Sequence, residues 1–106
     1  MLGISPVYGT PQRRSDPDVQ ELRRACGAWL RELREKRGLS QRDLARLVGT
    51  DYYTFISQLE TGRGRVPAEK YLAWAEALGV APEPFVKRLL YFYDPITYDI
   101  LFGAEG

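Results

Sequence analysis

Histidine is absent from this chain and cysteine occurs once, at Cys26. A zinc site built from Cys and His therefore has no ligand set, and an intrachain disulfide has no second thiol. Imidazole-based acid–base catalysis is excluded as well. No glycine-rich phosphate loop ending in lysine is present, and no paired carboxylates mark a cleft. An enzyme is thus the least expected class, and no metal or cofactor is implied. The N-terminus has no apolar signal-peptide core, and no run is long enough to span a bilayer. The expected location is the cytoplasm, in contact with the nucleoid if the chain binds DNA. No apolar/polar alternation argues for a strand, and no segment repeats.

What is there fits one domain with a single modest core: 106 residues, 44% hydrophobic and 27% charged. The net charge of +1 conceals an uneven distribution. Between Glu21 and Arg65, ten basic residues face six acids; from Val66 onward, three basic residues face six acids. The first stretch is set up for a polyanion, although a solvated helix face also gathers charge in this way.

Residues 1–15 carry Gly, Pro and Ser without periodicity and read as a flexible arm ending in Arg13-Arg14. Such an arm could reach a minor groove, or take no part in binding. Ser15-Asp16-Pro17 resembles a helix start. A first helix is predicted over 17–37, with Leu22, Cys26, Trp29 and Leu33 on one stripe and Leu30 widening it. Cys26 reads as a small buried hydrophobe. Arg31, Arg34 and Arg37 read as a solvated face. Ser40 caps a second helix, with Asp43 completing a variant capping box, Leu44, Leu47 and Val48 inward, and Gly49 as the stop. A third helix is predicted over 51–61, with Asp51 as its cap, Phe55, Ile56 and Leu59 inward, and Gly62 terminating it. Pro67 opens a fourth helix with Tyr71, Trp74, Ala75 and Leu78 on one face, and Gly79 stops it. Pro82 or Glu83 opens a fifth with Phe85, Val86, Leu89 and Leu90. Asp94-Pro95 breaks that helix, and residues 96–102 form one more helical segment. The division is an arm over 1–15, a helical domain over 16–93 and an extension over 94–106.

Two short helices joined by a glycine-containing turn are a recurring DNA-reading device. The second enters the major groove while the first crosses the backbone. "LSQRDLARLVG" followed by "ISQLETGR" resembles the Xre family of helix-turn-helix proteins, the phage repressor and Cro type. Leu39, Ser40, Gln41, Leu44, Ala45, Val48, Gly49, Ile56, Ser57, Leu59, Glu60, Gly62 and Arg63 carry the likeness. It spans roughly residues 25–90 and implies an all-α, five-helix lambda-repressor-like domain, here with a C-terminal helical extension. One departure stands out: "TDYYTF" holds one residue more than the family usually has between Gly49 and Glu60. The added residue either lengthens the turn or starts the third helix early.

Gln41 lies in the first turn of the second helix, where free N–H groups meet phosphate. In the family this glutamine commonly bridges phosphate and a neighbouring residue. Arg42 and Arg46 are placed for phosphate. Asp51, Tyr52, Tyr53 and Thr54 form the groove-facing end of the third helix, with Ser57 and Gln58 one turn on. Arg63 and Arg65 follow and are expected to grip the backbone. One tyrosine is expected in the core, because Thr50 occupies the place where the family often buries an aliphatic residue. Adjacent helical residues point about 100° apart, so the other must face solvent or DNA. The resemblance implies that Glu60 pairs with a basic residue of the first helix or the following loop.

The last segment is crowded with apolar and aromatic residues. Leu90, Tyr91, Tyr93, Ile96, Tyr98, Ile100, Leu101 and Phe102 occupy both faces, which marks an interface. A twofold homodimer is the economical use. The alternatives are a tail folded back over the first and fourth helices, or an antitoxin-like contact with another protein, with the helix-turn-helix kept for autoregulation. The leading expectation is a homodimeric regulator, a repressor by occupancy, whose partners are double-stranded DNA and, if it activates, RNA polymerase.

Overall fold

A computed structural model describes residues 16–103, and among them every regular element is helical. The elements are α1 (Asp16–Lys36), α2 (Gln41–Val48), α3 (Tyr53–Glu60), a 3₁₀ turn (Ala68–Lys70), α4 (Tyr71–Leu78), α5 (Pro82–Tyr93) and α6 (Pro95–Phe102). The all-α reading therefore holds. Ser15 and the arginines of the arm lie outside the described residues.

Local chemistry sets the helix ends. The Ser40 hydroxyl accepts from the Asp43 N–H, and the Asp43 carboxylate accepts from the Ser40 N–H, both at 3.0 Å. This reciprocal bonding satisfies two otherwise orphaned donors and fixes the start of α2. Gly49 ends α2 with φ 77°, a left-handed cap that residues with a Cβ rarely adopt. The third helix starts at Tyr53, later than predicted, and Asp51 is not its cap. Tyr52 takes that place in extended conformation with no side-chain hydrogen bond, so the turn absorbs the added residue. Pro67 opens the 3₁₀ turn, and α4 follows from it.

The core joins Cys26 and Leu30 of α1, Leu44, Ala45 and Val48 of α2, and Ile56 and Leu59 of α3. Trp74 and Leu78 of α4 and Phe85, Leu89 and Phe92 of α5 complete it. Leu47, expected inward, is exposed, because the buried arc of α2 centres between Leu44 and Ala45 and leaves Leu47 well to one side. Trp29 stacks on Phe85 at 5.4 Å between ring centroids and closes α1 against α5. The tail does not return over α1 and α4 as one reading allowed; α6 packs on α5, with Tyr98 edge-on to Tyr91 and Phe102 under the Lys87 ammonium.

Tyr93 was expected at an interface and is instead core: its hydroxyl accepts from the Val66 N–H at 3.1 Å. The Arg23 and Arg65 guanidinium groups lie over its ring. Burial pushes the nearby Cys26 thiol from 9.0 up to about 11, and the Tyr93 hydroxyl and the two arginines offset this only partly. The folded thiol therefore holds its proton where the unfolded one has lost it, so stability falls as pH rises from about 9 towards 11. Urea melts at pH 8 and pH 10.5 check this, with wild type losing more between the two than Cys26→Ala.

Gly27 sits inside α1 facing the end of α3. A Cβ there would lie 2.5 Å from the carbonyl oxygens of Leu59 and Glu60. Alanine is the better helix former by about 1 kcal/mol, yet overpacking against backbone typically costs about 1–3 kcal/mol. Gly27→Ala is expected to destabilise the protein by about that amount in chemical denaturation, whereas an exposed-helix Gly→Ala change would stabilise it.

Candidate nucleic-acid interface

Glu60, at the end of α3, carries the geometry of this face. Its carboxylate accepts from Arg34 Nε at 2.6 Å and Nη2 at 3.0 Å, a two-pronged pair between α1 and α3. Gln41 Nε2 donates to the same carboxylate at 3.0 Å, which ties in α2. Arg34 Nη1 donates to the Leu39 carbonyl at 2.8 Å and closes the α1–α2 turn. The acid was expected to pair with a base of the first helix, and it does. Arg34 was expected on a solvated face and is only 7% exposed. It follows Cys26 and Leu30 at intervals of four along α1, so it continues the buried stripe. The Glu60 bonds hold its guanidinium pKa above the ordinary value.

This network leaves the front of α3 open. Tyr52 is 72% exposed and Tyr53 41%, so neither occupies the core position expected of one of them. The buried residues of α2 and α3 are Leu44, Ala45, Val48, Ile56 and Leu59, and Thr50 is itself half-buried, so the core is closed without either ring. Thr54, Gln58 and Arg63 are exposed and Ser57 is half-buried. Asp51 is exposed in the turn. Arg42 reaches across from α2 and lies over the Tyr53 ring, 4.4 Å from its centroid. Arg46 is exposed and pairs with Asp43 at 3.3 Å. Of the expected site residues, the structure joins Arg42 of α2 to Tyr53 of α3 and Gln41 of α2 to Glu60 of α3, with Tyr52, Thr54 and Gln58 exposed along α3 and its entry.

Arg65 stands apart from that set. Its Nη2 donates to Asp94 at 3.1 Å and to the Tyr71 hydroxyl at 3.2 Å, which commits it to the α5–α6 junction. Sequence reasoning also missed two residues that position the face. Gly27 carried a signal as the lone glycine within a helical stripe, and Arg34 carried one in its four-residue spacing.

Paired short helices with a glycine turn, a glutamine in the first turn of the leading helix and an exposed second-helix front define a helix-turn-helix DNA-binding protein. Residues 25–89 match the family described as helix-turn-helix domain, and the chain belongs to that family. It is similar to the restriction-modification controller protein C.AhdI from Aeromonas hydrophila. The two are 35% identical with a TM-score of 0.52, over 65% of this chain and 97% of that one. No curated protein matches significantly. The expected Xre-type resemblance stands.

Removing one member of a buried ion pair typically costs about 3–5 kcal/mol, because the other charge is left unpaired. Glu60→Ala is expected to lose stability on that scale in urea denaturation. Replacing the pair together, as Arg34→Met with Glu60→Leu, is expected to recover most of it. Equal loss in the single and double variants would mean that the pair is not what holds the three helices.

Proposed function

We propose that this protein is a sequence-specific transcription regulator that binds an inverted-repeat operator as a homodimer and represses by occupancy. The observation that carries the reading is the exposed front of α3, from Tyr52 to Gln58, held at a fixed angle by the Arg34–Glu60–Gln41 network behind it. Similarity to a controller protein of known structure supports the same reading. Gln41 meets a phosphate while its amide stays on Glu60, Tyr52, Thr54 and Gln58 face base edges, and Arg63 follows the backbone.

The dimer contact is assigned to α5 and α6, largely beyond the family match that ends at residue 89. Ile96, Ile100 and Leu101 are exposed at 51%, 77% and 58% there, beside Tyr91, Leu90, Tyr98 and Phe102. Tyr93 drops out of that surface because it is buried. The same apolar face supports a second reading, in which α6 captures an unrelated protein and the helix-turn-helix serves autoregulation. RNA polymerase is the partner if the regulator activates.

Selection of bound duplexes from a random library, with sedimentation of the free protein, separates these. An enriched inverted repeat with half-sites about 10 base pairs apart, or a multiple of that, and a twofold species is the expected result. A folded monomer without enrichment would move the weight to the partner-protein reading. Arg63→Ala is expected to weaken all sequences alike and to lower the slope of log K against log salt by about 1.

A further inference from the structure

Arg42 and Tyr53 come from different helices and meet at the α2–α3 corner. The guanidinium carbon stands 4.4 Å from the ring centroid, within the range of an attractive cation–π contact. Among the described residues no carboxylate pairs with Arg42; the adjacent Asp43 is engaged by Ser40 and Arg46. Tyr53 is equally uncommitted to the core, at 41% exposure, and α3 has no side-chain cap bond to occupy its first turn. A large ring left at the surface thus has one described charged neighbour, the arginine that lies over it.

The contact has a geometric consequence. It shields the guanidinium on the side of the ring and leaves N–H donors free on its other sides. It also holds in one orientation a side chain that would otherwise lose rotamer freedom on binding. The pair sits at the N-terminal end of α3, the end that enters the major groove in this class. A fork of donors held there suits one acceptor pair in the groove, guanine O6 and N7. A phosphate would take the same fork but carries no base preference, so a sequence selection tells the two assignments apart.

We propose that Arg42 reads a guanine in each half-site and that Tyr53 is the positioning residue that holds the guanidinium at the groove-entering end of α3. This rests on the DNA-binding reading above and reassigns Arg42 from phosphate to base.

The test applies the same duplex selection to wild type, Arg42→Ala, Arg42→Lys, Tyr53→Phe and Tyr53→Leu, each first shown to be folded by thermal unfolding. Wild type is expected to enrich an inverted repeat with a guanine at one symmetry-related position. Arg42→Ala is expected to lower the preference for that guanine roughly 5- to 150-fold and to leave other positions unchanged. Arg42→Lys keeps the charge without the planar fork, so binding to random DNA persists while the guanine preference falls, though less than in Arg42→Ala. Tyr53→Phe keeps the ring and the preference. Tyr53→Leu loses about 2- to 5-fold at that position alone. Arg42→Ala weakening every duplex equally would place the arginine on phosphate and overturn the proposal. An unchanged base preference in Tyr53→Leu would remove the tyrosine's role. If Tyr53→Leu does not fold, loss of the guanine preference in Tyr53→Phe overturns that role instead. Failure of wild type to enrich any repeat would instead sink the DNA-reading function itself, before the variants are compared.

Discussion

The Arg34–Glu60 pair is the constraint on which the rest of the DNA-facing half depends. Three helices of this domain meet at one carboxylate: α1 through Arg34, α2 through Gln41, and α3 because Glu60 is its last residue. Two eight-residue helices have little stability of their own, since the nucleation cost is spread over few hydrogen bonds. Packing of Leu44, Val48, Ile56 and Leu59 supplies the driving force, but apolar contacts are non-directional and tolerate small rotations. A bidentate carboxylate does not tolerate them, because its donors must stay in plane and in reach. The orientation of α3 is therefore fixed from behind, on the side away from its exposed front.

Much of this was readable from residues alone. Ser40 with Asp43, the stops at Gly49, Gly62 and Gly79, and the periodic apolar positions locate most helix ends to within a residue or two; the start of α4 is the exception, at Tyr71 instead of Pro67, because a 3₁₀ turn intervenes. The signals are local, and local chemistry decides them. What could not be read depended on neighbours in space. The burial of Arg34 follows from which acid stands opposite it, and a run rich in arginine disguises that choice. Neither tyrosine is buried; the core is made without them, by Val48 and Ile56 among others, a relation in space that spacing along the chain does not encode. The turn from Leu47 inward to Leu47 outward has the same origin: the direction of the buried arc on α2 is set by where α3 and α4 lie.

The two ends of the molecule have different chemistry. The α2–α3 corner presents hydroxyls, amides and guanidinium groups, whereas α5 and α6 present isoleucine, leucine and tyrosine. Tyr93 lies between them, receiving the Val66 N–H from the loop after α3 and packed between Arg23 and Arg65. Arg65 continues this link to Asp94 at the head of α6. The loop that leaves the reading helix is thus bonded to the element that carries the apolar surface. Two faces of different chemistry share one frame.

Gly27 has a consequence for how such a protein diversifies. The spacing between α1 and the end of α3 is set by the lack of a single carbon atom, with backbone carbonyls on the other side that have nowhere to go. A mutational path that re-aims the helix by altering this contact meets a steep cost at its first step. New binding preferences are then reached more readily by exchanging side chains on that support than by moving it. The missing methyl acts as a gauge block, and the alphabet of the outer face is what is left to vary.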